Sequence, residues 1–331
     1  MSVEFPKLLE LDPRADPTSW VAGNRAALTE YLSRHGAILL RKTGIDSAAK
    51  FNRVANAFSK DLPALIQESS PRSVVYERVM TSTDYPKIYP IQFHSEYSYA
   101  SAWPMRLLFC CLQQPEFSGE TPIADNRRVL ANMSPSARAA FEKKGVTYIR
   151  NYRPYIGVSW QSAFGTTDPD AVEAACRSAN IEYEWRAGDV LRTRQRGRAI
   201  LEHPSTGESV WFNHAFFFNA RALEPVEVRE ALLSYPEDDP LSINTLFGDD
   251  TPIGADIIEE LRGLYADAST RWPWRREDVL IVDNMLTSHA RAPFRGARNI
   301  VVVMTDSVTR GSVERLANAS IGTNGSTGIH A

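Results

Sequence analysis

His94 and Glu96 stand one residue apart inside Tyr89–Asn126, YPIQFHSEYSYASAWPMRLLFCCLQQPEFSGETPIADN. An imidazole beside a carboxylate supplies two of the three groups that a divalent-metal site needs. Aromatic, β-branched and apolar residues dominate the segment, while Pro104, Pro115 and Ser118-Gly119 break it, so it reads as two strands separated by turns. If His94 and Glu96 share a strand, its period of two puts both side chains on one face. A His-X-Glu triplet alone is commonly a pair of surface residues with no metal, so a third ligand decides its meaning. His289 is the candidate, in VLIVDNMLTSHARAPFRGARNIVVVMTD. Two β-rich runs, Val279–Val282 and Asn299–Met304, flank a polar loop that carries His289 with Arg291, Arg295 and Arg298. Guanidinium forks grip carboxylates in two-pronged fashion, so an anion-binding site beside a metal accounts for this cluster of cations.

Two histidines and one carboxylate with open coordination positions form the facial triad of non-heme Fe(II) oxygenases. Four motifs carry a closer likeness: FHSEYSY at Phe93–Tyr99, SGETPIADNRRVL at Ser118–Leu130, EHPSTGESVWFNHAFFFN at Glu202–Asn219 and DNMLTSHARAPFRGAR at Asp283–Arg298. In this order the chain resembles the taurine dioxygenase superfamily of Fe(II)/2-oxoglutarate-dependent oxygenases, in particular its clavaminate synthase-like and syringomycin-type amino-acid hydroxylase branch. The resemblance implies a double-stranded β-helix (jelly roll) core. It also implies that His94, Glu96 and His289 ligate Fe(II), leaving positions for 2-oxoglutarate and dioxygen. Glu96 departs from the Asp usual in the wider superfamily and fits the His-X-Glu branch. Halogenase relatives lack this carboxylate, so its presence disfavours halogenation.

In relatives an arginine past the distal histidine holds the far carboxylate of 2-oxoglutarate, helped by the Thr of Gly-Glu-Thr, here Thr121. Arg298, at the start of Asn299–Met304, is the choice for that arginine, with Arg295 as competitor. Arg291 is open between holding a substrate carboxylate, bracing the loop and being plainly solvated. Gln92, Tyr97, Tyr99 and Asn213 are candidates for the substrate pocket, and Trp211 and Phe212 serve equally well as core. His203 and His214 receive no metal role. The implied reaction couples decarboxylation of 2-oxoglutarate to oxidation of an unactivated C–H bond. Its expected substrate is a small amino acid or amino-acid-derived molecule, free or tethered to a peptidyl carrier protein, in specialised metabolite (antibiotic) biosynthesis. Hydroxylation is the default; desaturation, epoxidation and cyclisation need only a different hold on the substrate. Outside this class, a zinc hydrolase would use similar ligands, but the helical His-Glu-X-X-His arrangement is absent. A non-catalytic jelly-roll binding protein would bind metal or 2-oxoglutarate and consume neither.

At 331 residues, with 43% hydrophobic and 23% charged, the chain can bury one large core, and one catalytic domain over residues 1–310 is expected. A net charge of -3 without basic runs leaves no footprint for nucleic acid. No stretch approaches the ~18 consecutive apolar residues of a membrane span, and the start lacks a signal-peptide build. A cytoplasmic location follows. The three cysteines agree: Cys110 and Cys111 point to opposite faces of a strand and Cys176 lies in a helical stretch, so reduced core thiols are expected.

The elements that must position the site are a Pro-rich lead-in expected to pack late, then helices over Asn24–His35 and Ala48–Phe58 around a strand Ala37–Arg41. Polar, turn-rich segments within residues 66–90 read as lids over the site. Helices follow over Pro135–Lys144, Asp168–Ala179, Pro225–Leu233 and Ala255–Ala266. Short strands fill Val146–Tyr152 (VTYIRNY, alternating), Tyr183–Trp185, Val190–Arg194, Ile200–Glu202 and Val210–Asn213. Short strands joined by Gly and Pro turns predict a mainly β sandwich or jelly roll with flanking helices. From residue 311 the Gly, Ser, Thr and Asn content predicts a flexible tail.

Overall fold

Ala102–Gln113, AWPMRLLFCCLQ, is the strand around which the larger sheet is laid down. Period two sends Leu108 and Cys110 to one face, and Leu107, Phe109 and Cys111 to the other. The vicinal thiols therefore join different cores, and all three cysteines are free and buried. The computed structural model describes residues 4–61, 72–83, 85–154, 157–234 and 241–314. In it this strand pairs antiparallel with Asn299–Thr309 on one side and Val279–Asp283 on the other. The complete sheet has seven strands, in the order Lys7–Glu10, Ala37–Arg41, Val279–Asp283, Ala102–Gln113, Asn299–Thr309, Val79–Thr81 and Val74–Tyr76.

Helices Pro17–His35 and Ala48–Phe58 cover the outer face through Leu28, Leu32, Phe51 and Val54. The first begins seven residues earlier than the expected Asn24. Asp16 accepts from the Ser19 amide at 2.8 Å, and Pro17, which needs no amide partner in the first turn, starts the helix instead of breaking it. Within the lead-in, Lys7–Glu10 pairs in parallel with Ala37–Arg41 at the sheet edge.

Facing the inner side is a four-stranded sheet in the order Ser269–Thr270, Ile123–Asp125, Thr287–Arg291 and Ile91–His94. Phe109, Ile300 and Val302 of the large sheet share one core with Ile123 and Ala124 of the small one. This is the jelly roll. Thr287–Arg291, expected as a polar loop, is a strand whose five residues are all buried. Thr287 donates to the Gly36 carbonyl at 2.9 Å and Ser288 to Asn126 at 2.6 Å, and these buried polar side chains hide the strand from a reading based on hydrophobic alternation. Glu96 is not on the His94 strand either, because that strand ends at His94 and Glu96 begins a turn in which Tyr97 takes a φ of 56°.

A third sheet, Glu182–Arg186, Val190–Gly197, Val146–Tyr152 and Ile243–Phe247, extends the fold on one flank. Ile243–Phe247 and the short helix Trp160–Phe164 are additions to the expected elements. The expected tail starts with helical residues 311–314, of which Val313 is buried; residues 315–331 lie outside the described residues, as do 66–71 and 84 of the expected lids.

Candidate active site

His94 and His289 are direct cross-strand partners in the small sheet, so both imidazoles rise from the same face toward the large sheet. Their ring centroids are 4.3 Å apart, and Phe109 of the long strand lies 5.1 Å from the His289 ring. Glu96 reaches the pair from the turn, its Oε2 lying 3.8 Å from Nε2 of each histidine. The candidate ligand atoms of the three residues all fall within 4.8 Å of one another, and all three residues are buried.

A buried hydrogen-bond network sets this geometry. Asn284 accepts from the Glu96 amide at 2.7 Å and donates to the carbonyls of Glu96 and Pro104, both at 2.8 Å. One fully buried amide side chain thus clamps the turn that carries the carboxylate. Asn126 donates to the Ser95 hydroxyl at 3.1 Å and accepts from Ser288 at 2.6 Å, tying together the residues beside His94 and His289. His94 Nδ1 donates to the Gln92 carbonyl at 2.9 Å, which leaves its Nε2 lone pair facing Glu96 and His289. Burial lowers the pKa of His94, with the Glu96 carboxylate opposing. Burial also holds His289 well below the ordinary imidazole value, and the nearby His94 and Arg72 add to the effect. Two neutral imidazoles and a carboxylate suit a divalent ion of intermediate softness. Arg72, not anticipated from the sequence, donates to Glu96 Oε2 at 2.7 Å and is itself nearly buried.

Beside the triad lies a small cavity lined by Arg72, Thr121, Arg291 and Arg298 among others. Arg298 donates through Nε to the Gly119 carbonyl at 2.8 Å and through Nη2 to Thr121 Oγ1 at 3.2 Å, and Trp274 Nε1 reaches the same hydroxyl at 3.1 Å. Burial, with Arg291 adding to it, lowers the Arg298 pKa to about 10. Arg298 and the Thr121 hydroxyl thus place a cation and a hydrogen-bonding group beside the metal triad. Arg295 is exposed and lies over Phe117, away from both cavities. Arg291 donates to the carbonyls of Tyr85, Pro86 and Tyr89 at 2.8, 2.7 and 2.9 Å, and so fastens the segment leading to His94.

A larger cavity of about 580 Å³ adjoins the small one, with Thr83 and Ile91 in the walls of both. Gln92, Arg150, Tyr152 and Phe217 line it, and Phe217 stacks on His94 at 4.4 Å. Tyr97 stacks on Tyr99 instead of lining it. Asn213 is also absent from its wall: the side chain donates to the Ala199 carbonyl and accepts from the Ala215 amide, both at 2.7 Å. His203 donates to Asp283 at 3.1 Å, and His214 hydrogen-bonds Ser98 at 2.5 Å, so neither belongs to the triad. Arg72, Asn126, Asn284 and Arg150 are site residues that sequence reasoning passed over; both asparagines stand inside the motifs quoted for the resemblance, and Arg150 within the alternating VTYIRNY.

A buried two-histidine, one-carboxylate cluster between the sheets of a jelly roll, with an arginine recess alongside, defines a 2-oxoglutarate-dependent non-heme iron dioxygenase. The chain belongs to the family described as taurine catabolism dioxygenase TauD, TfdA family, which it matches over residues 9–305. It is 35% identical to the dapdiamide synthesis protein DdaC of Enterobacter agglomerans over 281 residues, covering 85% of each chain. It is also 29% identical to a clavaminate synthase-like protein of Arabidopsis thaliana, covering 86% of each. Among solved structures, the fold is shared with AAD-2 in complex with Mn(II) and N-oxalylglycine (TM-score 0.53, 11% identity, 92% of this chain and 95% of that one). It is shared too with PvcB, an Fe, α-ketoglutarate-dependent oxygenase from an isonitrile synthetic pathway (TM-score 0.52, 13% identity, 92% and 89%). Among the described residues no helix is long and apolar enough to cross a membrane.

Proposed function

We propose that the protein oxidises, by hydroxylation, an unactivated C–H bond of an amino acid or amino-acid-derived small molecule in specialised metabolite biosynthesis, acting in the cytoplasm on a substrate that is free or carried by a peptidyl carrier protein. His94, Glu96 and His289 would hold the iron, and Arg298 with Thr121 would hold the far carboxylate of 2-oxoglutarate. The observation that carries this reading is the shared wall: Ile91 and Thr83 border both the arginine recess and the 580 Å³ cavity, so cosubstrate and substrate would meet at the triad. Kinship with a protein of dapdiamide synthesis supports the metabolic setting. When bound, iron with 2-oxoglutarate and dioxygen supplies the oxidising power, and the chain supplies position and exclusion of water. Asn284 and Asn126 keep the ligand-bearing turns in place, Phe217 fixes the His94 ring, and Arg291 closes the approach beside Tyr85.

The test is anaerobic reconstitution with Fe(II) and 2-oxoglutarate, reading the weak visible charge-transfer band of the chelate in wild type, Glu96→Ala and Arg298→Ala. Wild type is expected to show the band, and both variants to lose or weaken it. Succinate release is then screened with amino acids, free and carrier-bound, and the products are analysed for hydroxylation against desaturation, epoxidation or cyclisation. A metal-replete wild type without the band sinks the proposal.

A further inference from the structure

We infer that Gln92 reads a neutral amide on the substrate, so that the enzyme takes an amino acid in amide form and not as a free zwitterion; this deepens, and rests on, the dioxygenase reading above. Strand Ile91–His94 pairs His94 with His289 and Ile91 with Arg291, so Gln92 and Phe93 together oppose Ala290. That register shift is a bulge, a device that re-aims a side chain. Phe93 stacks on Tyr265 at 5.3 Å, while Gln92 lines the larger cavity. The Gln92 carbonyl meets His94 Nδ1 at 2.9 Å, and the preceding residue, Ile91, borders both cavities. The Gln92 side chain thus stands at the triad end of the chamber, and among the described residues nothing hydrogen-bonds its amide.

The charged groups of the same wall are already engaged. Glu224 accepts from Arg262 at 3.1 Å, and Arg150, which has partners of its own, lies over the rings of Tyr99 at 5.3 Å and Tyr152 at 4.7 Å. Asn151, the other amide there, donates to the Leu241 carbonyl at 2.7 Å. Much of the remaining wall is apolar, including Val158, Phe217, Leu223 and Ile243. A zwitterion entering this chamber would give up the hydration of two charges and meet no free counter-charge among the described residues of the wall. A glutamine side chain offers donors and an acceptor without charge, and an amide matches both. A carboxylate would leave the glutamine oxygen without a donor, and an ammonium would leave its NH2 group without an acceptor. Polar groups left so in a closed site cost binding, which makes Gln92 a specificity-determining residue. With the amide held there, the C–H bonds beside it face the triad and the apolar remainder fills the chamber.

Hexanamide and heptan-2-one are probes of the same shape that differ by an NH2 against a CH3 group, and hexanoate adds the charged comparison. Each is titrated into the anaerobic Fe(II)–2-oxoglutarate enzyme, reading perturbation of the charge-transfer band. Proton NMR with Mn(II) in place of Fe(II) then reads which end of bound hexanamide the ion relaxes most. Wild type is expected to bind hexanamide more tightly than hexanoate, with the protons beside the amide relaxed most. Gln92→Met keeps the carbonyl that meets His94 and loses the amide, so the affinity ratio of hexanamide to heptan-2-one should fall at least about fivefold. Gln92→Leu makes the same deletion and covers the case in which the Met variant does not fold. Strongest relaxation at the chain end, tighter binding of hexanoate, binding of no probe, or an unchanged ratio in the folded variant overturns the inference. A wild type that shows no band fails the dioxygenase reading instead, a separate outcome visible before any probe is added.

Discussion

The guanidinium of Arg72 and the carboxylate of Glu96 meet at 2.7 Å with both side chains less than a tenth exposed. The oxygen that Arg72 touches, Oε2, is the one directed at both imidazoles. An arginine so placed orients the carboxylate for the ion, and outer partners of this kind are typically worth about 10- to 100-fold in metal affinity. Arg72→Ala is therefore expected to weaken Mn(II) binding by about tenfold in calorimetry. Tighter binding in the variant would show that the guanidinium competes with the ion for Oε2 and does not orient it.

On the proposed reading Arg298 is the far-end grip for 2-oxoglutarate, and its hydrogen bonds to Gly119 and Thr121 fix the guanidinium in place. Its loss would remove a charge-assisted pair with that carboxylate, so Arg298→Ala should raise the Kd for 2-oxoglutarate by at least about tenfold, with Arg298→Lys intermediate. Burial has lowered its pKa to about 10, with Arg291 contributing. The anion binds only the protonated form, so affinity should stay level from neutral pH up to about 9 and fall as pH rises through about 10. Titrating the charge-transfer band against pH checks this, and an affinity that climbs with pH would remove Arg298 from the grip.

At the acid end the two histidines decide. Burial lowers both pKa values, for His94 against the pull of Glu96 and for His289 with help from His94 and Arg72. A folded-state value below the unfolded one means that protons bind the unfolded chain more readily. The stability contribution of neutral burial is thus present above about pH 6.5 and is lost as pH falls below it toward the folded values. Metal needs the same neutral rings. Mn(II) affinity should be level above about pH 6.5 and decline below it, together with the urea midpoint of the metal-free protein. A midpoint that rises on acidification would contradict this sign.

All three residues of the triad were legible because their types sit in short, ordered motifs, and the elements around them followed from caps and alternation: Ala48–Phe58, Pro135–Lys144 and Val146–Tyr152 have the bounds read from the sequence. Thr287–Arg291 was not legible as a strand, because a strand whose Thr and Ser side chains are satisfied by buried partners carries no apolar pattern. Ser288, bonded to Asn126 and adjacent to Ser95, is the case in point. The run Lys7–Glu10 escaped for another reason: its partner Ala37–Arg41 is separated from it by a whole helix, and parallel pairing leaves no local turn signal. Arg150 was hidden by its own class. A charged residue in an alternating strand suggests the solvent face, and only the third sheet's position over the cavity turns that face inward.

Asp283 shows how much of the site depends on a charge that never touches substrate. It is completely buried; desolvation works to raise its pKa, yet the Arg106 guanidinium at 2.6 Å and His203 at 3.1 Å bring the net shift downward. Its other oxygen accepts from the amides of Met285 and Leu286 at 3.0 and 3.1 Å, which forms the turn beginning with Asn284, the clamp on Glu96. Asp283→Ala strands a buried arginine and releases that turn. The expected cost is about 3–5 kcal/mol of stability, measured by urea unfolding. With the Asn284 turn released, Mn(II) affinity should drop even at temperatures where the variant remains folded by circular dichroism. Arg106→Met leaves the amide bonds of Asp283 in place, so it should lower stability with a smaller loss of metal affinity. Equal metal affinity losses in the two variants would show that the turn does not transmit the effect.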